Sequence, residues 1–137
     1  MNDLVCGCKV TGEVLLDGVN IYKDLEVNLL RKKVVVAGDW VFLSFCVDNV
    51  GESVERQVHG ALDNMEARLA LVGLTLESVV KVDVLMKDPW NIPAMEKVFA
   101  ERFQGKYPAR KTIATEFAHK GGEQGLQIQI DAIAYKG

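Results

Sequence analysis

The sequence predicts an α+β domain, a mixed β-sheet with two helices packed on one of its faces. Three observations carry this. Several short stretches are rich in β-branched and aromatic residues, two longer stretches repeat apolar residues at helical spacing, and the two kinds alternate along the chain. At 137 residues the chain fits one domain, spanning residues 1–137.

Residues 1–30 carry the weakest pattern. Val10–Leu16 and Val19–Tyr22 read as two short strands joined by the turn signal Asp17-Gly18, which favours a hairpin. Lys32–Ala37 is a better strand. Gly38-Asp39 supplies a turn, and Trp40–Cys46 is a second strong strand. That strand is apolar on both faces, so both have to be covered.

Ser53 is placed to cap a helix, its hydroxyl accepting from an orphan N–H of the first turn. Val54, Val58, Ala61, Leu62, Met65, Leu69 and Val72 then recur at helical spacing. Glu55, Arg56, Asp63, Glu66 and Arg68 take the other faces, His59 lies on the polar edge, and Gly73 follows the last apolar position. Val79–Met86 alternates as a strand, with Val80, Val82, Val84 and Met86 on one face and Lys81 and Asp83 on the other. Lys87-Asp88-Pro89 ends it. Asn91 is placed to cap a second helix, Pro93 is tolerated in its first turn, and Met95, Val98, Phe99 and Phe103 form its buried stripe as far as Gly105.

Pro108 disfavours helix at Tyr107, and Thr112–Phe117 has the bias of a strand. Arg110 therefore stands at a strand entrance, where a planar guanidinium can grip a carboxylate through two parallel hydrogen bonds. Gly121-Gly122 forms a turn. In the last strand, Leu126–Ala134, Ile128, Ile130, Ala132 and Ala134 share one face, and Gln127, Gln129 and Asp131 the other. Two helices shield one face of a sheet. The other, apolar in places, is expected to meet a second copy of the chain in a closed homo-oligomer.

Composition narrows the function classes. A net charge of −3 gives no basic footprint, so no nucleic acid is expected as partner. No apolar run approaches the roughly 20 residues that span a bilayer, so no membrane partner is expected. Met1–Val5 begins no basic-then-apolar leader, and a cytoplasmic protein is the expectation. Cys6 and Cys8 form a C-x-C pair, but His59 and His119 are the only histidines to complete a site, so no metal is expected. Cys46, in an apolar strand, reads as a small buried hydrophobe. No motif implies a cofactor.

Five segments together resemble the Rid family, also called YjgF or the reactive-intermediate deaminase family. They are Ala37–Ser44, Ala61–Met65, Val79–Asp88, Pro108-Ala109-Arg110 and Ile128–Ala134, in the family's order and at similar spacing. The resemblance runs from Val35 onward and leaves residues 1–30 poorly matched. It implies a chorismate-mutase-like fold assembled as a homotrimer, with ligand clefts between subunits. It also implies hydrolysis of 2-imino or 2-enamino acids to 2-oxo acids and ammonia. Arg110 matches the arginine that anchors the substrate carboxylate. Other family positions are changed: the cleft glutamate falls at Gln129, the glycine after Ser44 is Phe45, and the tyrosine falls near Arg31. An asparagine falls at Glu96, and a cysteine at Thr112. A carboxamide can orient water but neither takes nor gives a proton at neutral pH. The expected substrate-binding set is Arg110, Ser44, Phe45, Arg31, Thr112 and Gln129; the catalytic candidates are Gln129, Glu116 and Glu96. Three readings follow: a deaminase, a module that binds a small carboxylate without turnover, and the ribonuclease or translation-inhibitor role attached to the family by name. The acidic chain disfavours the last.

Overall fold

The computed structural model describes residues 33–118 and 124–137. The expected N-terminal hairpin, Cys6, Cys8, Arg31, His119 and the Gly121-Gly122 turn lie outside the described residues.

The elements run β1 (Val34–Ala37), β2 (Trp40–Cys46), α1 (Val54–Ala70), β3 (Val79–Met86), α2 (Ile92–Phe103), β4 (Ala109–Ala114) and β5 (Ile128–Tyr135). They form one five-stranded sheet of order β1-β2-β5-β3-β4. The β3–β4 pair is parallel and every other pair antiparallel, so the sheet is mixed, as expected. Both helices pack on one face. Val34, Val36, Val41, Leu43, Val82, Val84, Met86, Ile128, Ile130, Ala132 and Ala134 on the sheet meet Val58, Ala61, Leu62, Met65, Leu69, Met95, Val98, Phe99 and Phe103 on the helices.

Where the elements end, hydrogen bonding decides. Ser53 caps α1 as its residue type predicts, its Oγ accepting from the Arg56 N–H at 3.3 Å. α1 stops at Ala70, two residues before the last apolar position. There the N–H groups of Val72 and Gly73 turn back to Leu69 and Ala70, and Leu74 N donates to Leu69 O across Gly73 at φ +77°. Asn91 does not cap α2 through its side chain. Instead the Asp88 carboxylate accepts from Trp90 N at 2.9 Å and caps a short 3-10 turn, Pro89–Asn91, that runs into the helix.

Two strand expectations shift. β4 begins at Ala109 and ends at Ala114, so Arg110 lies inside the strand, while Thr115–Phe117 lie beyond it. The reason is its partner among the described residues: β3 pairs with it from Lys81↔Ala109 to Met86↔Ala114, and β3 itself ends at Met86. β5 begins at Ile128 because the N–H of Gln127 goes to Gln57 Oε1 of α1, at 2.8 Å, and not to a neighbouring strand. In β3 the register slips between Val79 and Lys81, so Val79 enters the core and Val80 is 43% exposed, the reverse of the expected alternation.

The sheet face away from the helices carries rows of aligned residues. Val35, Phe42, Ile133 and Lys81 follow one another across four strands, and Asp131, Asp83 and Lys111 across three. Val35, Trp40, Phe42, Ile113 and Tyr135 are exposed on that face. Trp40 and Tyr135 stack with ring centroids 4.7 Å apart. Among the described residues, no helix is long and apolar enough to cross a membrane.

Candidate functional site

The predicted site residues fall in two places on opposite sides of the sheet. Arg110 aligns with Val82, so its side chain emerges on the helix side, on β4, the edge strand among the described residues. There it meets α2. Arg110 Nη2 donates to Glu96 Oε2 at 2.7 Å, and Nη1 lies 3.7 Å from Met95 Sδ. Met95 is fully buried and fixes the helix face from which the next residue projects. Glu96, Phe99, Tyr107, Pro108 and Arg110 line a hollow of about 390 Å³. Thr112, two residues along β4 on the same side, is half-buried, and its Oγ1 has no hydrogen-bond partner among the described residues. Glu116 is exposed and beyond the end of β4.

Ser44 and Phe45 sit on a bulge in β2, where the register against β5 shifts between Leu43 and Cys46. Phe45 has φ +58°, in the left-handed region that glycine enters freely and a ring-bearing residue rarely does. The backbone thus keeps the conformation expected of a glycine while carrying an aromatic ring. Two side chains fix it. Asp131 Oδ1 accepts the Phe45 N–H at 2.9 Å. From α1, Arg68 Nη1 donates to the Ser44 carbonyl at 2.7 Å and Nη2 to the Phe45 carbonyl at 3.4 Å, with Cys46 Sγ 3.7 Å from Nη1. Burial pushes the Cys46 thiol up to about 11, against the opposing pull of Arg68. The bulge borders a hollow of about 200 Å³ on the helix-free face, lined by Val35, Phe42, Ser44, Lys81, Asp83 and Asp131 among others. Lys81 Nζ lies 3.0 Å from Asp83 Oδ1, an ion pair without hydrogen-bond alignment.

Gln129 aligns with Leu85 and lies on this same helix-free face. One copy of the chain therefore brings Arg110 together with Glu96, and sets Ser44, Phe45 and Gln129 on the other side of the sheet.

Two further residues position the site elements. Arg68, expected on a face of α1 away from the apolar stripe, is 4% exposed. It stands three residues after Met65 and seven after Ala61, within the apolar stripe, and that spacing is the signal of its burial. Gln57, fully buried, is the other: its amide bridges Glu52 O, Gly125 O and Gln127 N. His59 is half-buried, its Nδ1 3.0 Å from Arg102 and its Nε2 3.6 Å from Glu101. Among the described residues no group of His, Cys, Asp or Glu is arranged to hold a metal.

Comparison with known proteins places the chain in a family. Residues 26–136 match the family model described as endoribonuclease L-PSP. A RutC family protein of Pyrococcus horikoshii is 31% identical over 109 residues, covering 74% of this chain and 83% of that one. A 2-iminobutanoate/2-iminopropanoate deaminase of Capra hircus is 32% identical over 84 residues, 61% of this chain and 58% of that protein's length. Among solved structures, a Streptococcus pyogenes protein described as a member of the highly conserved yjgF family is 59% identical. It superposes with a TM-score of 0.72, covering 77% of this chain and 86% of that one. The chain belongs to the Rid/YjgF family, the family of the endoribonuclease L-PSP model.

Proposed function

We propose that this protein binds a small carboxylate-bearing metabolite at Arg110 and hydrolyses 2-imino or 2-enamino acids to 2-oxo acids and ammonia. The observation that carries the reading is the Arg110–Glu96 contact: the guanidinium at the mouth of the hollow already holds a carboxylate at 2.7 Å. The similarity to a named deaminase supports the reaction class. In that reaction water adds to C2 of the imine, the C–N bond breaks, and nitrogen leaves as ammonia after taking up protons. A group that moves protons is needed near the anchor. Glu96 stands there, and Glu116 is a second carboxylate further along the chain.

The working site is completed by a second copy in a homotrimer. Ser44, Phe45 and Gln129 lie across the sheet from Arg110, so a cleft holding both groups needs two subunits. The exposed apolar residues around Trp40 and Phe42 support burial of the helix-free face between copies. The net charge of −3 favours a small anchored ligand over RNA.

Gln129 supports a second reading, in which the protein holds its carboxylate ligand without turnover. Loss of a general acid–base costs about 10²–10⁴-fold in rate. Ammonia release from freshly generated 2-iminopropanoate separates the two. Acceleration by the purified protein that is lost in Arg110→Ala supports the deaminase. Binding of 2-oxobutyrate that is lost in Arg110→Ala, with no acceleration, selects the binding module, and gain of activity in Gln129→Glu would then locate the missing group.

A further inference from the structure

We propose that Glu96 sets the charge selectivity of the Arg110 site, favouring ligands that carry both a carboxylate and a cationic nitrogen over plain carboxylates. The inference rests on Arg110 being the ligand anchor, and it names the kind of ligand that anchor takes.

The two side chains are held from different elements. Arg110 is fixed by the pairing of β4 with β3, and Glu96 follows the buried Met95 on α2. Their 2.7 Å contact is partly open to solvent, with side chains 31% and 52% exposed, so a ligand can reach both. One N–H of the guanidinium is already committed to Glu96 and the positive charge is already balanced. The rest of the hollow is Phe99, Tyr107 and Pro108, which offer no further charge.

An anion such as a 2-oxo acid has two ways to bind. It can displace Glu96, leaving that carboxylate without its cation, or it can crowd a second carboxylate onto the same guanidinium. Both oppose binding. A ligand with a protonated amine or iminium beside its carboxylate meets a different site. Its carboxylate bonds Arg110, its N–H groups bond Glu96, and the local charge stays balanced. For a hydrolase of 2-imino acids this distinguishes the two ends of the reaction. The protonated imine satisfies both residues, whereas the 2-oxo acid product has lost the group that Glu96 holds. The product is the poorer ligand and leaves.

The ion pair is solvent-exposed, so its influence is modest, about two- to fivefold in affinity for either ligand. The test is calorimetric titration of the full chain with a matched pair, 2-aminobutyrate and 2-oxobutyrate, which share a carbon skeleton. The native protein should bind 2-aminobutyrate more tightly. Glu96→Gln removes the charge and keeps the shape. It should tighten 2-oxobutyrate and weaken 2-aminobutyrate, changing their affinity ratio by about four- to 25-fold. A ratio unmoved by Glu96→Gln, with both ligands lost in Arg110→Ala, overturns the selectivity role and leaves the anchor standing. Binding of both unchanged in Arg110→Ala, or no binding to the native protein, overturns the anchor and the selectivity together. Circular dichroism of each variant shows that the fold is intact.

Discussion

Asp131 on β5 accepts the backbone N–H of Phe45 on β2 at 2.9 Å, and Phe45 holds a φ of +58°. The carboxylate thus stands in for a ladder bond at the bulge and holds a conformation that costs a non-glycine residue about 1–2 kcal/mol. Glycine substitutions in strands ordinarily destabilise relative to alanine. Here the order should reverse. Phe45→Gly should be more stable than Phe45→Ala by about 1 kcal/mol, because both lose the ring but only glycine relieves the backbone. Urea unfolding of the two variants checks it, and equal stability would mean that φ at this position carries no strain.

Arg68 acts on the same bulge from the opposite side. Its fork satisfies the carbonyls of Ser44 and Phe45 in a place where water does not enter freely. Arg68→Met should cost about 2–4 kcal/mol, since it removes the donors from two carbonyls at once. Arg68→Lys should fall between, its single ammonium lacking the planar fork. Urea midpoints at constant slope provide the measurement.

Cys46 gives stability a pH dependence. In the unfolded chain its thiol ionises near its ordinary value of 9.0, while in the folded protein burial pushes it up to about 11. Between these values the folded state keeps a proton that the unfolded state releases. Its contribution is therefore full below pH 9 and is lost as pH rises towards 11, by about 3 kcal/mol at most. Unfolding free energy measured from pH 8 to 11 should fall more steeply for the native protein than for Cys46→Ala. Parallel curves would show that the thiol is not isolated from water.

The helix-free face makes assembly sensitive to charge. Phe42 aligns with Val35 on one side and Ile133 on the other and is 42% exposed. Phe42→Glu would place a carboxylate in this apolar row and should convert the proposed trimer to monomers at micromolar concentration, by the cost of burying an unpaired charge. Light scattering would report the mass. A native protein that is itself monomeric, or a variant that stays trimeric, would remove this face from the interface.

Much of the fold was written in short-range pattern. The stripe Met95, Val98, Phe99 and Phe103 and the alternation of Ile128, Ile130, Ala132 and Ala134 are buried as their spacing requires. What was illegible depended on partners distant in sequence. The start of β4 follows from where β3 offers hydrogen bonds, and the start of β5 from a glutamine on α1. Val79 displaces Val80 in the core through a register slip. The candidate site divides in a similar way. Arg110 stood out because Pro108 and the strand bias are local, but its union with Glu96 depends on how α2 packs. The separation of Arg110 from Gln129 depends on which side of a strand each side chain takes. The spacing of Arg68 places it in the apolar stripe while its charge favours solvent, and its bonds to the carbonyls of Ser44 and Phe45 accommodate the buried charge.

β5 lies between β2 and β3, so those two strands share no ladder with each other. Without β5 the described strands form two separate units, the antiparallel hairpin β1–β2 and the parallel pair β3–β4 joined through α2. During synthesis the residues of β1 through β4 therefore exist for a time with their central partner still missing, and their core side chains are open to misplaced contacts. The closing step joins strands distant in sequence, the kind of step that slows folding through the entropy of loop closure. The middle of the sheet is therefore expected to become native last.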